Sequence, residues 1–368
     1  METRDITSNR LSSQHISLDS RVKSADDVLS SLGAVQAQDY PAALWAIGLR
    51  CRDSTTKADV ERAIAERKIS RTWLMRGTLH FAPSRDIHWM LRLFAPRLVN
   101  TAISRDRHLG LADDVIGKAE AMFAKALRGN KQLTRDEMHH VLEKGGIKVA
   151  RQLGYHMIYR AAWDGLICFG AHQGKQPTFE LLDERIPRKS EVPEAQALTE
   201  LAFRYFTSHG PATIKDYVWW SGLKVSDAKA GIERASPKLV SEQIDGKTFY
   251  MAKPQRPSNK GEVHLLPAFD EYLVGYNDRS AMLRNPATQR MLRSGKIVFT
   301  HSNGIFLPVV VAEGEVVGTW KRKNERGKVV VVIRPFAKLD AGRMRGVREA
   351  AKRYEDFLEV PVETRLDN

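Results

Sequence analysis

Through most of the first 250 positions apolar residues recur at helical spacing, and after them the pattern shortens into strand-like runs. Ser24-Ala25-Asp26-Asp27 sets a serine cap with an acid three residues on, and Val28, Leu29 and Leu32 follow as an apolar stripe. Gly33 is a natural stop for that helix, because glycine takes the left-handed conformation without steric cost. Pro41 suits the first turn of the next helix, Ala42 to Leu49, and biases Tyr40 away from α. Between these stops an extended backbone would send Val35, Ala37 and Asp39 to one face and Gln36 and Gln38 to the other. On spacing alone, a solvated loop with two surface glutamines is the simpler reading.

The same grammar continues along the chain. Thr55 to Ile64 is a capped amphipathic helix, and Ile69 to Phe81 reads as two short strands around a turn. Helices followed by a small hairpin make a winged helix, a three-helix core with a β-wing. Residues 84 to 128 are helical, with Trp89, Leu91, Leu93 and Phe94 as core. A helix opening at Thr134, another from Leu153 to Ala162, a strand from Gly165 to Gly170 and a closing strand at Phe179 to Leu182 make a second unit. A charged linker from Pro187 to Pro193 leads to a third. Its helices run from Ala195 to Ser208, after the Gly210-Pro211 turn, and from Val225 to Ala235, and its wing from Leu239 to Ala252. Gln132-Leu133-Thr134-Arg135-Asp136-Glu137-Met138 and Pro211-Ala212-Thr213-Ile214-Lys215-Asp216-Tyr217 play the same role in their units, as expected of one module used three times.

Past a Pro/Ser/Lys-rich break at Pro254 to Lys260 the pattern turns to strands. They are expected at Val263–Leu266, Lys296–Thr300, Phe306–Val311, Glu315–Trp320 and Lys328–Ile333, with hairpin turns at Asn303-Gly304 and Glu313-Gly314. The expected fold class is therefore α+β: three tandem winged-helix modules with a C-terminal β-barrel-like element. The divisions are 1–83, the first module with the Gln-x-Gln stretch; 84–112, a helical bridge; 113–186 and 194–252, the second and third modules; 262–338, the β-rich element; and 339–368, a basic helix from Ala341 to Leu358 with a tail.

Charge narrows the partners. Fifty-eight Lys and Arg stand against 44 Asp and Glu, a formal +14, which favours a polyanionic partner. No apolar run reaches a transmembrane length, so nucleic acid comes before membrane. A merely basic, solvated surface is the plainer alternative. The N-terminus lacks the apolar stretch of a signal peptide, and Cys51 and Cys168 make no metal or redox pattern, so a reducing cytoplasm is the expected setting.

Phosphate-loop, dinucleotide, zinc-protease and Cys/His zinc signatures are absent, so neither a cofactor nor a metal is expected. His139 and His140 are adjacent on a helix and diverge. Asp270-Glu271 reads either as an acidic site or as a structural, hydrogen-bonded turn, and Trp219-Trp220 either as a base-stacking pair or as core.

Five pieces then occur in order: Gln36-Ala37-Gln38-Asp39, Arg71 to His80, Gly210-Pro211-Ala212-Thr213, Leu265 to Tyr272 and Val317-Gly318-Thr319-Trp320. Together they resemble the AlkZ-like bacterial winged-helix DNA glycosylases, over nearly the whole chain. The resemblance implies three tandem winged helices and a C-terminal β-rich element around duplex DNA. It also implies excision of bulky alkylated purines, unhooking of interstrand crosslinks, and a setting of alkylation repair or self-resistance to alkylating natural products. It makes Gln36 and Gln38 the catalytic pair, matching the family's Gln-x-Gln form.

Chemistry agrees with that implication. A purine alkylated at N7 or N3 is cationic, so its glycosidic bond is already activated. What remains is to orient water and stabilise an oxocarbenium-like transition state, which amide carbonyls can do. Asp39 is either a base or, since the extended reading turns it away from the glutamines, a supporting group. For DNA contact the candidates are Arg71, Arg76 and His80 in the first wing and Lys321, Arg322 and Lys323 in a β-turn of the C-terminal element, where a solvated charged loop is the alternative. The expected protein is a monomeric, metal-free, monofunctional DNA glycosylase acting on double-stranded DNA that carries alkylated purines or crosslinks. The rival is a non-catalytic winged-helix regulator, against which three unequal modules in one chain argue, because a regulator usually dimerises on a palindrome.

Overall fold

The structure, a computed structural model, describes residues 3–149, 152–253, 259–294 and 306–367. The expected strand Lys296–Thr300 and the turn Asn303-Gly304 lie outside them. The chain forms two compact units, one from Met1–Glu61 with Leu198–Asn368, the other from Arg62–Ala197. The fold is mixed α+β.

In the first unit α1 (Thr3–Ser13) is followed by α2 (Ala25–Leu32), the two-residue strand β1 (Val35–Gln36), α3 (Tyr40–Gly48) and α4 (Lys57–Ala65), within which the boundary falls. Ser24 caps α2 by accepting the Asp27 N–H, and Gly33 ends it at φ 81° with its N–H on Leu29 O. Asp39 caps α3 with Pro41 in the first turn, and the helix begins two residues earlier than the pattern alone placed it. Thr56 and Asp59 exchange bonds ahead of α4.

The second unit carries β2 (Ile69–Trp73), β3 (Leu79–Pro83), α5 (Ile87–His108), α6 (Asp113–Leu127), β4 (Leu133–Thr134), α7 (Arg135–Lys144), α8 (Leu153–Trp163), β5 (Ile167–Phe169), β6 (Thr178–Leu181) and the short α9 (Leu182–Arg185). Its strands lie in the order β3-β2-β5-β6-β4. Trp89, Leu91, Leu93 and Phe94 are core, as the helical stripe requires. Arg185 is buried here against the Glu180 carboxylate at 2.5 Å, and its Nε donates to Ser70 at 2.8 Å.

The chain returns to the first unit within α10 (Glu194–His209) and continues there with α11 (Ile214–Ser221), α12 (Val225–Ala235) and the antiparallel pair β7 (Val240–Ile244) and β8 (Lys247–Met251). Thr134 and Thr213 open α7 and α11 with the same reciprocal capping box. Each of these helices is preceded by an extended residue that pairs with the far strand of the following hairpin: Leu133 with Phe179, Ala212 with Tyr250.

The remainder is β9 (Val263–Leu266), α13 (Glu271–Val274), α14 (Pro286–Arg293), β10 (Val309–Ala312), β11 (Glu315–Glu325), β12 (Lys328–Pro335), α15 (Ala341–Leu358) and β13 (Val362–Leu366). Their sheet order is β13-β12-β11-β10-β9. Among the described residues this sheet is open, with β13 and β9 as its edges, so the barrel-like expectation is corrected to an open sheet packed by α15. The expected tail is corrected too: residues 362–366 add a parallel strand beside β12. The Glu313-Gly314 turn is confirmed with φ of 51° and 85°, the left-handed pair that a tight hairpin needs. Among the described residues no helix is long and apolar enough to cross a membrane.

Candidate active site

The stretch between α2 and α3 is fixed from behind. Ala34, Val35 and Ala37 are fully buried, Gln36 is 7% exposed, and Gln38 and Asp39 lie at the surface. The Gln36 main-chain N–H donates to Glu271 Oε1 at 2.8 Å. The other oxygen of that carboxylate accepts Trp220 Nε1–H at 2.9 Å, and His209 Nε2 lies 3.5 Å from it. All three side chains are buried. Burial lowers the pKa of His209, an effect partly offset by the Glu271 carboxylate. Its ring lies parallel to Tyr205 with centroids 4.7 Å apart. Gly33 sits over the same tryptophan: a Cβ there would be 3.7 Å from Trp220 Cη2.

Glu271 is itself held by its neighbour. Asp270 caps α13 through the Tyr272 N–H at 2.9 Å and accepts from both terminal nitrogens of Arg50, Nη1 and Nη2, each at 2.8 Å. Arg50 has no exposure, and it also donates to Gln14 O, Ala46 O and Gln14 Oε1. The contacts of the Asp270-Glu271 pair are those of the structural, hydrogen-bonded turn, one of the two readings open in the sequence. Trp219 and Trp220 part company: Trp220 is core, while Trp219 is 41% exposed, with its Nε1–H on Val274 O and Arg279 over its ring.

On the other side, Asp39 Oδ1 accepts the Ala42 N–H at 3.0 Å, a helix-capping role. Trp45 of α3 packs on Tyr354 and Phe357 of α15 and donates to Leu265 O. Trp320 of β11 meets the same Tyr354 and donates to Leu266 O. Arg322 Nη1 reaches the Tyr354 hydroxyl at 3.4 Å. Burial raises the Tyr354 pKa, an effect partly offset by the Arg322 guanidinium. The helix that follows the stretch and the basic strand thus border one aromatic cluster.

The family model described as "DNA glycosylase AlkZ-like" matches residues 29–357. The chain belongs to this family. Among curated relatives, the interstrand DNA cross-link repair glycosylase of Streptomyces sahachiroi is 26% identical over 329 residues, 85% of each chain. The solved structure of the Streptomyces sahachiroi DNA glycosylase AlkZ covers 100% of both chains with a TM-score of 0.80 at 23% identity, a likeness of fold. This AlkZ-like chain is a DNA glycosylase, a hydrolase of N-glycosyl bonds.

The residues expected to meet DNA divide sharply. In the second unit of this AlkZ-like protein, Arg71 is only 7% exposed, with its guanidinium 4.7 Å over the Phe169 ring. His80 is fully buried, its Nδ1 2.9 Å from Thr78 O. Neither faces solvent as the wing reading expected, because all five residues of β2 and of β3 are buried and alternation exposes nothing. Arg76 is half-buried at the turn, with φ 55°. Lys321, Arg322 and Lys323 are exposed, but they lie within the long strand β11 and not in the turn, which falls after Glu325. Among the described residues no group of three or more His, Cys, Asp or Glu side chains gathers as for a metal ion. Glu271, Trp220 and His209 were missed as companions of the glutamines; the run Asp270-Glu271 in an apolar setting was the available signal.

Proposed function

We propose that this glycosylase hydrolyses the N-glycosyl bond of bulky or crosslinked, cationic N-alkylpurines in duplex DNA, with Gln36 and Gln38 as its catalytic pair. The observation that carries this is the pinned main chain of Gln36, tied through Glu271 to a buried framework while Gln38 stands at the surface. Preorganised amides suit a reaction whose leaving group is already activated. One carboxamide oxygen accepts a hydrogen bond from the attacking water, and both dipoles face the cation developing at C1′. Neither glutamine can ionise, so the pair gives no help to a neutral leaving group. Asp39 supports the site by capping α3 and holding the end of the stretch.

The three winged-helix modules are part of the same proposal. Extended residues ahead of α7 and α11, each paired to the far strand of its hairpin, support equivalent modules, and Val35–Gln36 stands ahead of α3 in the corresponding place. Lys321, Arg322 and Lys323, with Arg76, then supply phosphate contacts, and Arg71 and His80 brace the first wing from inside. The relative named for interstrand cross-link repair supports crosslinked DNA as a substrate class here. The enzyme works as a monomer.

The test is release of free base from duplexes carrying N7-methylguanine, an interstrand N7 crosslink or uracil. Release from the two cationic substrates and none from uracil is expected. Uracil release at a comparable rate would overturn the all-amide mechanism.

A further inference from the structure

We propose that Glu271 is a positioning residue for hydrolysis, acting through the Gln36 main chain; the inference rests on the assignment of Gln36 and Gln38 as the catalytic pair. A carboxylate with no exposure is costly unless it is met by donors, and Glu271 is met by three elements distant in sequence. Its Oε1 takes the Gln36 N–H, its Oε2 takes the Trp220 indole, and His209 stands beside Oε2. The backbone from which it projects is fixed in turn by Asp270, clamped to Arg50 through both oxygens. Filling space at this point needs only an apolar side chain, and satisfying one indole needs only an amide. Here the indole and the main-chain N–H take separate oxygens, an arrangement that a carboxylate offers and an amide does not, and that N–H belongs to a catalytic glutamine. Trp220 also lies under Gly33, so one side chain braces both the entry to the stretch and the carboxylate that fixes its middle.

Glu271→Gln keeps the shape but turns an amide NH2 toward one of the two donors. The experiment is a double-mutant cycle on the full chain, comparing parent, Gln36→Ala, Glu271→Gln and the double variant. It reads single-turnover release of N7-methylguanine and the dissociation constant for undamaged duplex. Glu271→Gln is expected to slow release by roughly 10²-fold, the scale of an ångström-size misplacement, with DNA affinity unchanged. In the Gln36→Ala background it is expected to slow release hardly further, because the two act as one unit. Parent-like release by Glu271→Gln, a loss that multiplies fully with that of Gln36→Ala, or a loss appearing in affinity instead of rate would each overturn the inference. Parent-like release by Gln36→Ala would overturn the glutamine assignment beneath it, and slow Gln36→Ala beside fast Glu271→Gln would overturn the positioning role alone. Should Glu271→Gln not fold, Trp220→Phe removes the indole donor to Oε2 and leaves His209 beside that oxygen. Slowed release with intact affinity is then expected, and parent-like release would contradict the proposal.

Discussion

Asp270→Asn tests whether the framework behind the stretch is as tightly coupled as its contacts require. The parent side chain takes two charge-assisted bonds from the fully buried Arg50, each at 2.8 Å, and the Tyr272 N–H at 2.9 Å. Breaking a buried ion pair by altering one partner costs about 3–5 kcal/mol. Two features move this variant to the lower end. Asparagine keeps one carbonyl acceptor, and Arg50 retains Gln14 O, Ala46 O and Gln14 Oε1. We expect a loss of about 3 kcal/mol, equivalent to roughly 6–12 °C in Tm for a unit of this size. Scanning calorimetry of the whole protein is the assay, with the second unit as internal reference. The transition of the unit containing Asp270 should fall, and that of residues 62–197 should stay. A fall below about 2 °C would show that the Arg50–Asp270 pair does not hold the site together.

Four further outcomes follow from particular residues. Glu120 has its pKa raised to about 7 by burial and by Asp164, so the folded state holds a proton that the unfolded state releases near 4.5. Its contribution to stability relative to Glu120→Gln should therefore fall as pH rises from about 4.5 to 7 and level off above, as read by urea unfolding across that range. Charge reversal at Arg322 and Lys323 should flatten the salt dependence of duplex binding by up to about 0.9 in log–log slope per lost phosphate contact; an unchanged slope returns these residues to solvent. Arg71→Ala should lower the Tm of the second unit and leave the salt slope alone, because its guanidinium lies on Phe169 inside the sheet. Cys51 and Cys168 are buried, and burial pushes both thiols up to about 12, so neither should react with a thiol reagent at pH 8 before the chain unfolds.

What the sequence made legible were the features written locally. The Ser24, Thr134 and Thr213 caps, the Gly33 stop and the helix limits at Val225–Ala235 and Ala341–Leu358 all depend on residues within a turn of one another. The glutamines were found by their bracketing stops and by the resemblance, but their support was not. Gln36 and Glu271 are 235 positions apart, and nothing in the spacing of either tells that they share a bond. Arg71 and His80 are expected to meet DNA from a wing, which needs an exposed face, and both faces of these strands are covered. The basic run at Lys321 looks like a turn in the sequence, whereas Val329 to Val331 continue the pairing opposite it and carry the strand on to Glu325. Residues 362–366 look like a tail in isolation and become a strand only because β12 offers them an edge.

The most direct measurement of the central claim is single-turnover release of base from N7-methylguanine duplex by the parent, Gln38→Ala and Gln38→Asp, with duplex affinity and Tm measured on the same preparations. Loss of a water-orienting group made only in the transition state should drop release by Gln38→Ala by orders of magnitude at unchanged affinity and Tm. Gln38→Asp should keep measurable activity and gain an acidic limb in its pH profile, because an ionised carboxylate can both orient and deprotonate water. Equal release by all three would remove the catalytic role of this stretch.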